Sequence, residues 1–291
     1  LLRINLSHTN IKDLEKLVNK IRKYTNIPIC IDTEGAQIRT KIFKKIKLLV
    51  NQKILIDNNY YSKNLTFYPD VYKQLRIGDA LSIGFDNLIL KIINKKKNYL
   101  VSKVINSGLL ENNKGVHILN RKIHLNSLTE KDLIAIKKSL DLGITVYALS
   151  FTNSEKDINL FKKFLPNQRT IIKIETFSAI KNIDKIFNNC NEILIDRGDL
   201  SKDVKLERVP FFQREIQRKA KSKNKKVYIA TNLLETMVKN SGPTRAEIND
   251  IYNCLELGAH GLVLAAETAI GKWPLESVNV ISKVIKEFEK V

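Results

Sequence analysis

Seven short apolar segments alternate with longer amphipathic stretches along this chain of 291 residues. The segments are rich in β-branched residues and show little alternation of polar and apolar positions, which is typical of strands buried on both faces of a parallel sheet. The seven predicted strands are Leu2–Leu6, Pro28–Asp32, Thr145–Phe151, Thr170–Glu175, Glu192–Ile195, Lys226–Thr231 and Gly261–Ala265. Repeated alternation of strand and helix predicts a parallel α/β fold, and both an open doubly wound sheet and a closed barrel satisfy this rule.

The stretches between the strands carry signals for helix starts and ends. Apolar residues recur at spacings of three and four, as expected for helices that bury one face. Thr244 and Glu247 form a capping-box pattern just after Pro243, which predicts a helix start. Gly143 and Gly258 stand where two helices are expected to end.

Polar residues at the strand ends indicate where a functional site would lie in a barrel fold. The chain starts at Leu1 inside an element, so we expect a fragment in which an eight-stranded barrel lacks its first strand. In such barrels the site lies at the C-terminal ends of the strands. The strand-end residues of this chain are Asn5, Ser7, Asp32, Thr33, Ser150, Lys173, Glu175, Arg197, Asp199, Thr231 and Glu267.

Two neighbouring strand ends carry the residues that most narrow the function. Lys173 and Glu175 end one buried strand, and Asp196 and Asp199 follow the next one. Because consecutive parallel strands tend to lie side by side, we expect a lysine and at least two carboxylates at one edge. Carboxylates there can share a hard divalent cation, and the lysine can bind a phosphate. The plainer alternative is a pair of carboxylates that cap the following helices.

Residues 41–125 have a different pattern from the rest of the chain. Short strand-like segments are separated by turns, and no convincing helical pattern is visible. The strand-like segments are 48–57, 79–93 and 98–106, with turns at Asn58-Asn59 and Asp86-Asn87. We therefore expect a small all-β domain inserted into a barrel domain formed by residues 1–40 and 126–291.

The composition narrows the class of protein. The formal net charge is +20, but the basic residues are spread along the whole chain. Nucleic-acid binders usually concentrate basic residues on one face, so a basic scaffold for nucleic acid is the weakest alternative. No apolar stretch reaches the roughly 18 residues that span a membrane. The three cysteines lack metal-ligand spacing. These features fit a cytoplasmic enzyme whose charge attracts anionic substrates.

Ten short motifs occur in one order along nearly the whole chain. They lie at Arg3–His8, Asp32–Thr40, Lys114–Val116, Leu128–Asp132, Ser150–Phe151, Lys173–Glu175, Arg197–Leu200, Ala230–Asn232, Pro243–Glu247 and Glu267–Ala269. In sequence and in order they resemble the motifs of the pyruvate kinase family. A single tetrapeptide would be weak, but ten in order make a chance resemblance negligible.

This resemblance implies a fold and a reaction. The family fold is a (β/α)8 TIM-type barrel with a β-rich lid inserted after its third strand, followed by a C-terminal α/β domain. The chain matches barrel and lid, so we expect the first strand and the C-terminal domain to be missing. The implied reaction moves the phosphoryl group of phosphoenolpyruvate to ADP, giving pyruvate and ATP in the last step of glycolysis. The alternative is a catalytically weak or inert relative that senses phosphoenolpyruvate or nucleotide.

The resemblance also implies roles for residues at the strand ends. Glu175 and Asp199 would hold Mg²⁺ or Mn²⁺. Lys173 and Arg3 would bind the transferred phosphoryl group and neutralise its charge. Thr231 would help to deliver a proton through water.

Three further groups of site residues follow from the resemblance. The backbone at Gly198 and Asp199 would bind the substrate carboxylate, beside Thr231 and Lys173. The ligands expected for K⁺ are Asn5, Ser7, Asp32 and Thr33. The contacts expected for the nucleotide phosphates are Arg39, His8 and Lys114, and a homodimer through the barrel is slightly favoured over a monomer.

Five positions depart from the family pattern. Glu34 replaces a lysine and reverses the charge near the nucleotide, and Gln37 replaces a glutamate linked with K⁺ dependence. Asp196 replaces a small residue and adds a carboxylate beside the predicted metal ligands. Thr176 replaces an asparagine, and Ser201 replaces a glycine, which is expected to cost the loop conformational freedom.

Overall fold

The computed structural model of the chain describes residues 1–84 and 87–290. The chain divides into two compact units, one formed by Leu1–Gly35 with Glu130–Val291 and the other by Ala36–Thr129. Within the described ranges, no helix combines the length and the apolar character needed to cross a bilayer.

Strands and helices together make up most of the described residues. The strands are β1 (Leu2–Asn5), β2 (Ile29–Asp32), β3 (Ile38–Lys41), β4 (Ile46–Leu48), β5 (Lys53–Asp57), β6 (Thr66–Tyr68), β7 (Ala80–Ile83), β8 (Leu88–Lys95), β9 (Tyr99–Asn106), β10 (Gly108–Leu110), β11 (Gly115–Ile118), β12 (Val146–Leu149), β13 (Arg169–Ile174), β14 (Glu192–Asp196), β15 (Lys226–Ala230) and β16 (Gly261–Val263). The helices are α1 (Leu14–Arg22), α2 (Glu130–Asp141), α3 (Glu155–Phe164), α4 (Phe177–Lys181), α5 (Ile183–Asn188), α6 (Arg197–Asp203), α7 (Val209–Ser222), α8 (Arg245–Glu256), α9 (Ala266–Ala269) and α10 (Pro274–Phe288). Short 3₁₀ helices span Ile11–Asp13, Leu206–Arg208 and Glu235–Val238.

Seven parallel strands form the sheet of the first unit. Their order across the sheet is β1, β2, β12, β13, β14, β15 and β16, which is also their order along the chain. All seven strands predicted from the sequence are confirmed, with ends displaced by one or two residues at most. Successive strands therefore lie side by side, and because all seven run parallel their C-terminal ends lie at one edge.

The predicted helix boundaries in the first unit are also confirmed. The Glu247 amide donates to Thr244 Oγ1 at 3.2 Å, and the Thr244 amide donates to Glu247 Oε2 at 2.8 Å. This reciprocal capping box starts α8. Gly143 follows the end of α2 with φ of +68°, and Gly258 follows α8 with φ of +87°, so both occupy the left-handed region that glycine adopts without strain.

One apolar cluster covers the inward face of the parallel sheet. Its members are Cys30, Val146, Ala148, Ile171, Leu194 and Ala230, with Tyr228 and Val263 packed against them. They come from β2 and from β12 to β16. Along each strand, successive side chains point to opposite faces of the sheet. Side chains two positions further along the same strands therefore continue this face towards the C-terminal edge.

The second unit is built from antiparallel strands, and its described residues contain no helix. One sheet has the strand order β5, β9, β8, β7, β11, β3 and β6, and β10 pairs with β4 in a separate ladder. The predicted segments 79–93 and 98–106 contain β7, most of β8 and β9. The segment 48–57 contains β5, whereas the turn predicted at Asp86-Asn87 lies partly outside the described residues.

Four strands of the second unit were missed entirely at the level of sequence. They are β3, β6, β10 and β11, each of three or four residues. Segments this short carry too few residues to show a period of two, and their pairing with distant strands is what makes them strands. An ion pair also stabilises the second unit. Asp79 accepts one hydrogen bond from Arg121 Nε and one from Arg121 Nη2, each at 2.7 Å.

Candidate active site

Buried polar side chains continue the inward face of the parallel sheet at its C-terminal edge. Side chains two positions apart on a strand share a face, so an apolar inward residue and a polar one follow each other. The pairs are Cys30 and Asp32, Ala148 and Ser150, Ile171 and Lys173, and Leu194 and Asp196. Each of the four polar residues is at most 5% exposed. The same alternation that builds the apolar cluster thus delivers a buried polar cluster beyond it.

Lys173 lies at the centre of this polar cluster. Its Nζ is 2.7 Å from Glu175 Oε1 and 3.3 Å from Asp32 Oδ2. The same nitrogen donates to Ser150 Oγ at 3.1 Å and lies 3.7 Å from Asp196 Oδ2. Burial alone would lower the pKa of the lysine, but the three carboxylates outweigh it and raise that pKa above its ordinary value. Lys173 is therefore a buried, permanently positive group at neutral pH.

Glu175 is a buried carboxyl group with one oxygen held by the backbone and the other facing the cluster. Its Oε2 accepts from the Phe151 amide at 2.6 Å. Its Oε1 forms an ion pair with Lys173 Nζ at 2.7 Å. Burial, opposed by Lys173 and assisted by neighbouring carboxylates, raises the pKa of Glu175 to about 8.

Three carboxylates at this edge form a set that fits a divalent cation. One ligand oxygen from each of Glu175, Asp196 and Asp199 lies within 4.8 Å of the other two. Carboxylate oxygens are the ligands that Mg²⁺ and Mn²⁺ prefer. The buried Glu175 Oε1 lies 2.7 Å from Lys173 Nζ, so a cation bound here would share this oxygen with the lysine. The predicted pair Glu175 and Asp199 is thus brought together, and Asp196 joins it.

The turn after β14 brings Thr231 next to the predicted substrate-binding amides. The Gly198 amide donates to Thr231 Oγ1 at 2.8 Å. The Thr231 hydroxyl proton can be donated to Asp196 Oδ1 at 3.1 Å or to the Ala230 carbonyl at 2.6 Å. The Asp199 amide donates to Asp196 Oδ1 at 3.5 Å. Both amides predicted to bind the substrate carboxylate therefore have partners within the chain, which a substrate would have to displace.

The backbone at Thr231 is held in an uncommon conformation. Thr231 has φ of +69°, which is unfavourable for a β-branched residue. The Arg197 guanidinium stabilises it by donating to the Thr231 carbonyl at 2.6 and 3.0 Å. Arg197 is itself fixed by Asp250 of α8 at 2.6 Å. The sequence pattern assigned no role to Arg197 or Asp250, because the partner of Arg197 depends on how α8 packs.

The four residues predicted to bind K⁺ lie on neighbouring strand ends. Asn5 of β1 stands opposite Asp32 of β2 in the parallel ladder. Asn5 Oδ1 accepts from the Ser7 amide at 2.9 Å, which forms a local turn. Thr33 Oγ1 accepts from the Ser150 amide at 2.9 Å, and Asp32 Oδ1 accepts from Ser150 Oγ at 2.9 Å. Ser150 thus joins these residues to Lys173, a role that its place at a strand end did not reveal.

Arg3 reaches the same cluster from β1. Its Nη1 lies 3.5 Å from Asp32 Oδ2, and its side chain is 25% exposed. A partly exposed cation therefore lies at the same cluster as the buried Lys173, and their shared binding of a phosphoryl group stays a prediction.

The residues predicted to bind nucleotide phosphates are divided between the units. His8 of the first unit is exposed just after β1. Arg39 of β3 and Lys114 lie in the second unit, where Arg39 stands opposite Gly115 in the ladder between β3 and β11. Lys114 forms an ion pair with Glu111 at 2.9 Å. The two basic residues of the second unit are thus brought close together by strand pairing.

Three of the departures from the family pattern have local partners. Glu34 is buried and forms an ion pair with Lys131 at 2.8 Å, so its negative charge is balanced within the first unit. Thr176 accepts from the Ala179 amide at 3.0 Å and caps α4. Ser201 lies inside α6 and donates to the Gly198 carbonyl at 2.6 Å. The predicted loss of conformational freedom in a loop is therefore wrong, because this residue is helical.

Known proteins resemble this chain over nearly its whole length. A family model described as pyruvate kinase, barrel domain, matches residues 1–278. The pyruvate kinase of Thermotoga maritima is 33% identical over 306 residues, which cover 99% of this chain and 65% of that protein. The pyruvate kinases of Dictyostelium discoideum and Buchnera aphidicola are 32% and 33% identical, again over 99% of this chain, and it covers 61% and 64% of them.

The chain therefore spans between three-fifths and two-thirds of the length of these relatives. The match includes the strand ends that carry Lys173, Glu175 and Asp199. From the family model and these relatives together, the chain belongs to the pyruvate kinase family.

Proposed function

We propose that this protein transfers the phosphoryl group of phosphoenolpyruvate to ADP, giving pyruvate and ATP. The observation that supports this most is the buried ammonium group of Lys173, which is held among carboxylates beside an acidic set suited to a divalent cation. Phosphoryl transfer needs positioning and charge neutralisation more than covalent chemistry. This arrangement offers both, and membership of the pyruvate kinase family agrees with it.

The roles of the chain's own residues follow from their chemistry. Lys173 would exchange part of its carboxylate pairing for the phosphoryl oxygens, whose charge spreads in the transition state. Arg3 would bind the same group with two parallel hydrogen bonds. A divalent cation held by Glu175 and Asp199 would supply further stabilisation of negative charge on the phosphoryl and enolate oxygens.

The proton that completes pyruvate would come from solvent. After the phosphorus–oxygen bond of phosphoenolpyruvate breaks, the enolate carbon must gain one proton. Thr231 lies at the same edge and carries a hydroxyl group that can relay it through water. Its backbone is fixed by Arg197, so the hydroxyl is held in one place.

Other features of the protein are part of the same proposal. We propose that the seven-stranded sheet belongs to an eight-stranded barrel domain of residues 1–40 and 126–291. Residues 41–125 would act as a lid that excludes water during the reaction. The protein would act in the cytoplasm and form a homodimer through the barrel.

Three ion and ligand sites complete the proposal. Potassium would bind at Asn5, Ser7, Asp32 and Thr33. The phosphates of the nucleotide would be contacted by Arg39, His8 and Lys114, and the carboxylate of the substrate by the amides of Gly198 and Asp199 together with Thr231.

A coupled assay tests the proposed function. The purified protein is mixed with phosphoenolpyruvate, ADP, Mg²⁺ and K⁺, and pyruvate is followed through lactate dehydrogenase and NADH. We expect turnover that EDTA abolishes and excess Mg²⁺ restores. Calorimetric binding of phosphoenolpyruvate or ADP without turnover would instead identify an inert sensor. Neither turnover nor binding would contradict both functions.

A further inference from the structure

Four carboxyl groups and two cations form a cluster at the C-terminal edge of the parallel sheet. The carboxylates are Asp32, Glu175, Asp196 and Asp199, and the cations are Arg3 and Lys173.

Asp196 is a buried carboxylate of this cluster. It is 4% exposed, so it has lost most of the hydration that stabilises an ionised carboxylate in bulk water. Its Oδ1 lies 3.1 Å from Thr231 Oγ1 and 3.5 Å from the Asp199 amide. Its Oδ2 lies 3.7 Å from Lys173 Nζ, which is long for an ion pair. One oxygen is thus held by its own turn, and the other faces the cluster with only a distant cation.

A second observation points to a ligand at the same place. Glu175 Oε1 is buried and lies 2.7 Å from Lys173 Nζ. A carboxylate oxygen carries two lone pairs, so this oxygen can also bind a cation. Glu175 also belongs to the set of three carboxylates whose ligand oxygens lie within 4.8 Å of one another.

We propose that Asp196 is a third carboxylate ligand for a divalent cation, beside Glu175 and Asp199. The inference rests on the proposed function only in that it concerns the same metal site. With three carboxylate ligands from the chain itself, the protein binds the cation without help from a phosphorylated substrate. Ligand charge is one of the main quantities that set the affinity of such sites.

Binding of Mn²⁺ alone tests this proposal. The electron paramagnetic resonance signal of free Mn²⁺ disappears on binding, so a titration gives the dissociation constant without any turnover. The variant Asp196→Asn keeps the side-chain volume and remains a good helix cap, because asparagine caps helices as well as aspartate does. The matched control is Asp184→Asn on α5, which removes the same charge from an exposed side chain outside the cluster.

We expect the unaltered protein and Asp184→Asn to bind one Mn²⁺ with equal affinity. Loss of groups that only support metal ligands weakens affinity about 10–100-fold, so Asp196→Asn should weaken it about tenfold or more. Thermal melting of each variant checks that it is folded. If the unaltered protein binds no Mn²⁺ in the absence of substrate, the proposal is overturned.

A further variant separates this inference from the proposed function. Asp199→Asn removes one of the two metal ligands that the function requires. If Asp199→Asn weakens Mn²⁺ binding and Asp196→Asn does not, the third ligand is overturned and the metal site stands. If neither variant changes the affinity, both the third ligand and the metal site of the proposed function are wrong.

Discussion

The two ends of the parallel sheet carry charged residues on the same inward face but balance them differently. At the N-terminal end, Arg169 donates to Glu192 through Nε and Nη2 at 2.7 to 3.0 Å. Tyr228 accepts from Arg169 at 2.9 Å and donates to Glu192 at 3.0 Å. Burial would raise the pKa of Glu192, but these hydrogen bonds outweigh it and lower that pKa. One cation there satisfies one carboxylate.

At the C-terminal end, the carboxylates outnumber the cations. Lys173 is shared among three of them, which are Asp32, Glu175 and Asp196. The pKa of Glu175 is raised to about 8, chiefly by burial, whereas the pKa of Glu192 is lowered. The N-terminal end therefore stabilises the fold, and the C-terminal end holds groups that a cation and an anionic substrate can satisfy.

If the two ends of the sheet have these different roles, the largest loss of reaction rate is expected from a substitution of Lys173 at the C-terminal end. Replacing Lys173 by Met removes the positive charge that faces the transferred phosphoryl group. Loss of one such electrostatic contact costs about 10²–10³ in rate, so kcat in the coupled assay should fall at least that far. The control Lys138→Met removes an exposed lysine of α2 and should leave kcat unchanged.

Folding of the Lys173 variant must be measured in parallel, because the change leaves buried carboxylates without their cation. Circular dichroism and melting temperature provide that check, and Lys173→Arg provides a variant that keeps the charge. A folded Lys173→Met protein with near-normal turnover would contradict the role given to this residue.

A smaller effect, on stability rather than rate, is expected at the other end of the sheet. Glu192→Gln replaces the ionised partner of Arg169 by a neutral one. Because the Arg169 side chain is 40% exposed, the free energy of unfolding should fall by only about 1–2 kcal/mol. Urea unfolding measures this change, and kcat should stay within about twofold. A large loss of kcat with unchanged stability would reverse the roles of the two ends.

The smallest expected effect is the change with pH in the stability difference between the protein and Glu192→Gln. The pKa of Glu192 is lower in the folded protein than its unfolded value of about 4.3. Its contribution to stability is therefore complete above the unfolded pKa and is lost as the pH falls through the folded pKa. The difference in unfolding free energy between the protein and Glu192→Gln should be constant above about pH 5 and shrink in more acid solution. A difference that grows on acidification would contradict this account.

Sequence patterns predicted the parallel strands well because each is a long enough run of β-branched residues. They also predicted that Lys173, Glu175 and Asp199 come together, since parallel strands share one C-terminal edge. The short strands β3, β6, β10 and β11 were missed because pairing with distant segments, and no local pattern, makes them strands.

Side-chain partners were the least predictable part of the site. Glu34 meets Lys131, and Arg197 meets Asp250, only because of how helices pack against the strand ends. The Gly198 amide donates to Thr231 Oγ1, and Thr231 has a positive φ, which no sequence pattern indicated.

The position of a bound cation tests most directly the claim that the two ends of the sheet have different roles. Crystals of the protein soaked in Mn²⁺ would be measured by anomalous X-ray diffraction. We expect one strong anomalous peak among the carboxylates of Glu175, Asp196 and Asp199, and none beside Glu192. The absence of an anomalous peak at the C-terminal end of the sheet, or a peak beside Glu192, would contradict the account.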